Sequence, residues 1–148
     1  MKIALGSDHA GYENPPPYFK PAIAEHLAAR GHEVLDCGTD GPEAVDYPDV
    51  ANTVSKAVLS GEVDAGVLLC GAGIGMSIAA NRHRGIRAAC VNSDEMARLA
   101  RSHNNANVLC LGRRVHSIDE LIHFVDIWLD TPFTGEERHN RRLCKIDE

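Results

Sequence analysis

The stretch AGVLLCGAGIGMSIAANR, from Ala65 to Arg82, decides the fold. Its first six residues are apolar without alternation, which is how a strand covered on both faces reads. Gly71, Gly73 and Gly75 then fall at every second position, and IGMSIAANR follows with helical character. A covered strand, a tight glycine loop and a helix form the opening of a right-handed βαβ unit, and so of a parallel sheet. Cys70 stands at the junction, between the strand and a loop stripped of side chains.

Working outward, the same alternation recurs. KIALGSD reads as a first strand, FKPAIAEHLAARG as an amphipathic helix stopped by Gly31, and HEVLDCG as a second strand. YPDVANTVSKAVLSG is a helix with Pro48 in its first turn and Gly61 at its stop. IRAACV and NVLCLG supply strands four and five, with SDEMARLARSH as a helix between them. SIDELIHFVDIWLD is a last helix opened by a Ser117/Glu120 capping box. The pattern predicts an α/β fold: a single-domain, Rossmann-like three-layer sandwich around a five-stranded, mainly parallel sheet. Asn14 to Pro21, NPPPYFKP, predicts a stiff, extended lead into the first helix. Residues 130–148 are too polar for another core element and read as a C-terminal arm lying outside the domain or on another subunit.

Composition narrows the function classes. The 148 residues are 44% hydrophobic and 24% charged with a formal net charge of -6, which argues against nucleic-acid binding and against a basic membrane surface. The opening MKIALGSDHA carries too short an apolar run for a signal peptide or a membrane span, so a cytoplasmic protein is expected. Five scattered cysteines without a Cys-x-x-Cys pair fit buried thiols in a reducing compartment better than disulfides or structural zinc. No histidine and carboxylate cluster suggests a metal, and none is expected.

In an open parallel sheet, ligands bind beyond the carboxyl ends of the strands. Asp8 and His9, the segment from Asp36 to Tyr47, Cys70 with its glycine loop, Asn92 to Asp94, and Gly112 to Arg114 all fall there. The glycine loop exposes amide hydrogens ahead of a helix N-terminus, a setting that attracts an oxyanion or phosphate. It would also lower the pKa of a thiol at Cys70. A dinucleotide-binding loop and a merely tight turn remain alternatives on pattern alone. His103, at a helix end, reads by pattern alone more readily as a structural or solvated histidine than as a catalytic one. Arg138 and Arg142 share one helical face beside His139, and with Arg114 they could clamp a phosphate or simply be solvated.

Taken together, GSDHAG, DYPD, CGAGIGMSIAANR, GIRAA, ARSHNNANVLCLGRR and RHNRR resemble the type-B ribose-5-phosphate isomerases, grouped with the allose- and galactose-6-phosphate isomerases. The resemblance spans nearly the whole chain in order. It implies a cofactor-free and metal-free aldose–ketose isomerase acting on a small-molecule sugar phosphate, assembled as a homodimer or tetramer. It implies that Cys70 moves a proton between C1 and C2 through an enediolate held by the backbone of Gly71, Ala72, Gly73, Ile74, Gly75 and Ser77. His103 would assist ring opening with Asp8 in support. His9, Arg114, Arg138 and Arg142 would meet the phosphate, and Tyr47 and Asn104 the sugar hydroxyls. Two features depart from the family pattern: Ala72 stands where many members have threonine, and the NPPP segment delays the first helix. They leave open another phosphorylated or free aldose. Some members replace the cysteine and carry a glutamate base further along the loop; Met76 stands there, which leaves Cys70 as the only candidate base. A non-catalytic sugar-phosphate-binding subunit is a further alternative, and the intact Cys70/His103 pair argues against it.

Overall fold

The computed structural model describes all 148 residues. Strands β1 (Lys2–Ser7), β2 (Glu33–Gly38), β3 (Ala65–Cys70), β4 (Ala88–Cys90) and β5 (Val108–Gly112) form one sheet in the order β2-β1-β3-β5-β4. Every pairing in it is parallel. The helices are α1 (Phe19–Ala29), α2 (Tyr47–Leu59), α3 (Ile74–Ala80), α4 (Asp94–Ser102), α5 (Ile118–Asp130) and α6 (Glu137–Asp147), preceded by a 3₁₀ turn at His9–Tyr12. Gly31 and Gly61 follow α1 and α2 at φ of 84° and 74°, the left-handed conformation that stops a helix. Ser117 and Glu120 form the reciprocal capping box that opens α5.

The sheet separates two apolar layers. On one side Ile23, Leu27, Ala97, Leu121 and Trp128 of α1, α4 and α5 pack on Ile3, Leu5, Val67, Leu69 and Leu109. On the other side Val54, Met76 and Ala80 of α2 and α3 pack on Ala4, Leu68, Val108 and Cys110. β3 is buried along its whole length, as its unbroken apolar run requires. Each fully buried leucine or isoleucine contributes on the order of 1.5–3 kcal/mol relative to exposure, so these layers dominate the stability.

β1 lies between β2 and β3, and the chain leaves β1 and β3 toward opposite faces. The two loops diverge, and a crevice opens over the carboxyl ends of β1 and β3, where ligands bind in folds of this kind. At the far edge β4 has only three residues, and the Asn81 carboxamide engages both polar groups of Ala88. The amide N–H of Ala88 donates to Asn81 Oδ1 at 2.8 Å, and Asn81 Nδ2 donates to the Ala88 carbonyl at 2.9 Å.

The chain after β1 makes a 3₁₀ turn before the proline segment; the Asp8 carboxylate stabilises it by accepting from the Ala10 amide at 2.9 Å. One expectation changes. Residues 130–148 are more ordered than an outlying arm. α6 buries His139 and Leu143 against its own chain, because its apolar and polar residues separate onto two faces. Its end is fastened by Asp147, whose carboxylate accepts from Arg87 Nη1 at 2.6 Å and whose carbonyl accepts from Arg84 Nε at 2.7 Å.

Candidate active site

The crevice over β1 and β3 collects the first group of expected site residues. Cys70 ends β3, and its Sγ accepts a hydrogen bond from the Gly73 amide at 3.2 Å. Gly73 adopts φ of 79°, and a Cβ there would lie 3.0 Å from the Leu111 carbonyl carbon and 3.1 Å from Cys90 Sγ. Only glycine lets the chain turn so close to β5 while keeping its amide on the sulfur. The amides of Gly71, Ala72, Ile74 and Gly75 donate to no backbone carbonyl, leaving four donors beside the thiol. Ser77 differs from expectation. Its amide donates to the Gly73 carbonyl at 3.1 Å and its hydroxyl to the Ile74 carbonyl at 2.8 Å, so the first turn of α3 withdraws it from an oxyanion site.

Other side chains frame this loop. The Tyr47 ring, at the start of α2, lies on Gly75, where a Cβ would come within 2.7 Å of the ring. Asp8 follows β1 and is 6% exposed, with its amide donating to the Leu69 carbonyl at 3.3 Å, one residue before Cys70. His9 Nδ1 accepts from the Val45 amide at 3.4 Å, tying the β1 loop to the segment before α2. After β5 the chain zips onto the glycine loop: the amides of Arg113 and Arg114 donate to the carbonyls of Cys70 and Gly71, both at 2.9 Å. The Arg114 guanidinium then spreads over Gly71, and Arg113 turns away to lie over the Phe19 ring at 3.9 Å. Ser93 and Asp94 are engaged elsewhere. Ser93 caps α4 by accepting from the Met96 amide at 3.2 Å, and Asp94 pairs with His123 at 3.2 Å.

The second group lies at the other end of the sheet. α4 begins after the carboxyl end of β4 and runs back, so His103, its C-cap, lies near the start of β5. Cys70 is in register with Gly112, and the run from Val108 to Gly112 alone is about 13 Å long at 3.3 Å per residue. His103 stacks on His139 of α6 with ring centroids 4.2 Å apart. Arg138 and Arg142 follow on α6, and the Asn104 carbonyl accepts from Arg87 Nε at 3.1 Å. One chain therefore carries Asp8, His9, Tyr47, Cys70, the glycine loop and Arg114 at one end. It carries His103, Asn104, Arg138 and Arg142 at the other.

Three participants escaped sequence reasoning. Lys20 is fully buried, with Nζ donating to Asp36 Oδ1 at 2.5 Å and to the Thr39 carbonyl at 2.7 Å, which pins the loop after β2 to α1. A lysine in the apolar first turn of α1 was the available signal. Glu13 pairs with Arg114, which holds its carboxyl below the usual range. His139 appeared only as a neighbour of the arginines. Among the thiols near the loop, burial pushes Cys90 and Cys110 up and keeps both protonated at neutral pH. All five cysteines are free. No group of three or more His, Cys, Asp or Glu side chains is placed to hold a metal ion, and no helix is long and apolar enough to cross a membrane.

Chains similar in sequence and in fold are known. The sequence profile of the Ribose/Galactose Isomerase family matches residues 3–146. The ribose-5-phosphate isomerase B of Escherichia coli K12 is 45% identical over 145 residues, covering 98% of this chain and 93% of that protein. A crystal structure of a ribose 5-phosphate isomerase from Thermotoga maritima superposes with a TM-score of 0.92 at 53% identity, covering 99% of this chain and 97% of the other. The ribose-5-phosphate isomerase B of Mycoplasma genitalium, solved with bound ribulose-5-phosphate, gives a TM-score of 0.90 at 42% identity over 99% of this chain and 93% of its own. With a family profile over nearly its full length and relatives this similar in sequence and structure, the chain belongs to the ribose/galactose isomerase family.

Proposed function

We propose that the chain interconverts D-ribose 5-phosphate and D-ribulose 5-phosphate as one sugar-phosphate isomerase domain over residues 1–148. The observation that carries this reading is the Cys70 sulfur held at 3.2 Å by the Gly73 amide beside four amides without acceptors. Proton transfer from a carbon acid needs a base within reach and preorganised donors where negative charge develops. In the open-chain aldose, the Cys70 thiolate removes the proton from C2. The electron pair forms the C1–C2 double bond, and the carbonyl oxygen at C1 becomes an enediolate oxygen facing the amides of Gly71, Ala72, Ile74 and Gly75. Return of the proton to C1, with transfer of the O2 proton to O1, completes the ketose. His103 assists ring opening with Asp8 in support. His9, Arg114, Arg138 and Arg142 bind the phosphate, and Tyr47 and Asn104 bind hydroxyls. Neither metal nor cofactor takes part, and activity is expected to survive EDTA.

The separation of the two residue groups supports a site completed by a second copy of the chain. A two-fold dimer brings His103, Asn104, Arg138 and Arg142 of one protomer to the Cys70 crevice of the other, and makes two equivalent sites. Ile74 and Ile78 support the same reading. They are 58% and 61% exposed, one turn apart on α3 beside the crevice, an apolar face suited to a partner. A tetramer would pair two such dimers. Five free cysteines suit the reducing cytoplasm.

The second reading, a different phosphorylated or free aldose, is favoured by Ala72 and the NPPP segment, both near the crevice. An isomerase assay against ribose 5-phosphate, allose 6-phosphate, galactose 6-phosphate and the free aldoses decides between them. The highest kcat/KM is expected for ribose 5-phosphate. A higher value for another aldose overturns the substrate, and no turnover of any overturns the activity.

A further inference from the structure

The Arg114 side chain is engaged at the rim of the crevice. Its Nε donates to Glu13 Oε1 at 2.9 Å, and its Nη2 donates to the same oxygen. The guanidinium meanwhile lies over the loop, with Nη1 3.1 Å from where a Cβ on Gly71 would stand. Glu13 ends the 3₁₀ turn that begins at Asp8, and its amide donates to the Ala10 carbonyl at 3.3 Å, so its backbone is fixed. Its carboxylate is stabilised first by Arg114, and further by the charges of Arg113 and His9. A carboxylate thus already stands among cations that the proposed function assigns to a phosphate. Two of the five donors of the guanidinium fork are committed to it.

We propose that Glu13 is a built-in competitor for the phosphate site: it holds the Arg114 fork in the free enzyme and is displaced when a phosphorylated substrate end arrives. A dianionic phosphate offers Arg114 stronger charge-assisted bonds than one carboxylate, and it repels Glu13 at close range. The Glu13 side chain is 26% exposed and that of Arg114 61%, so the swap needs only side-chain rotation toward solvent. The consequence is selectivity. A ligand without a strong anion cannot displace Glu13, and phosphorylated ligands are held less tightly than the bare arginine would hold them, which speeds product release. This inference rests on the assignment of Arg114 to the phosphate.

Inorganic phosphate is the probe, with its Kd measured by calorimetry on the wild type, Glu13→Gln, Arg114→Ala and the double variant. Glu13→Gln is expected to tighten phosphate about two- to fivefold, the range of an exposed ion pair, and to leave binding of free ribose unchanged. Arg114→Ala is expected to weaken phosphate, and adding Glu13→Gln to it to change nothing further. Unchanged or weaker phosphate binding in Glu13→Gln, while Arg114→Ala still weakens it, overturns the competitor and leaves the phosphate assignment standing. Equal tightening with and without Arg114 also overturns it, since that is a general charge effect. If Arg114→Ala leaves phosphate affinity intact, the assignment of Arg114 itself falls and the competitor with it.

Discussion

The imidazole of His139 lies face to face with that of His103, with centroids 4.2 Å apart and planes inclined by 20°. His139 is buried and its Nε2 has no hydrogen-bond partner. Burial, then the neighbouring charges of His103 and Arg138, hold its pKa below the ordinary histidine value, with Glu136 opposing and Arg142 adding to the shift. A base whose pKa falls on folding binds fewer protons in the folded state. Its contribution is therefore complete above the unfolded value of about 6.5 and is lost as pH falls below that. Protection factors of the α6 amides, which correct for the slower intrinsic exchange at lower pH, are expected to fall between pH 7 and pH 5 in the wild type. His139→Phe, which keeps a ring against His103, should flatten that dependence. An equally steep profile in the variant would assign the effect to other groups.

Cys70→Ala should lower kcat on the order of a hundredfold or more while phosphate still binds, because the general base is lost and the anion-binding groups are not. Cys144→Ala, at an exposed position, should leave turnover unchanged. Steady-state kinetics together with phosphate binding check both. Near-normal turnover in Cys70→Ala would place the base elsewhere.

Gly73→Ala and Gly31→Ala form a matched pair. Both positions have positive φ, 79° and 84°, so each substitution should cost about 1–2 kcal/mol of stability. At Gly31 nothing lies within 4 Å of the added Cβ, whereas at Gly73 it meets the Leu111 backbone and Cys90 Sγ. Activity is therefore expected to collapse in Gly73→Ala, where the amide must move off Cys70, and to persist in Gly31→Ala. Thermal melts and kcat measured side by side separate the two effects.

Mixing inactive chains tests the shared site. Cys70→Ala and His103→Ala protomers, each inactive alone, should regain about a quarter of normal activity per chain when randomly paired, since half of the dimers then carry one intact site of two. A mixture that stays inactive although mixed dimers are shown by mass spectrometry means that each site is built within one chain.

The strands, the helices and their caps were legible because each was written locally. Ala65–Cys70 is apolar throughout, Gly31 and Gly61 stop helices, and Ser117 with Glu120 opens one. Cys70 and its glycines were legible for the same reason, being contiguous. The remaining features depend on contacts between distant parts of the chain. Lys20 is buried because Asp36 and Thr39, far along the sequence, satisfy its charge. Glu13 reaches Arg114 across 101 positions. The arm folds as α6 because Arg84 and Arg87 supply partners for Asp147, which its own polar composition did not disclose.

The Asn81 carboxamide has a consequence for how the protein behaves when crowded. A sheet that ends on an open strand presents donors and acceptors to any extended chain that passes, and so invites edge-to-edge aggregation. Here the last strand is three residues long, and Asn81 already engages both polar groups of Ala88, as a neighbouring strand would. The side chain serves as a one-residue surrogate strand. Asn81→Ala would then reopen a template for unintended association at a position remote from Cys70, and precipitation at high concentration would precede any loss of turnover.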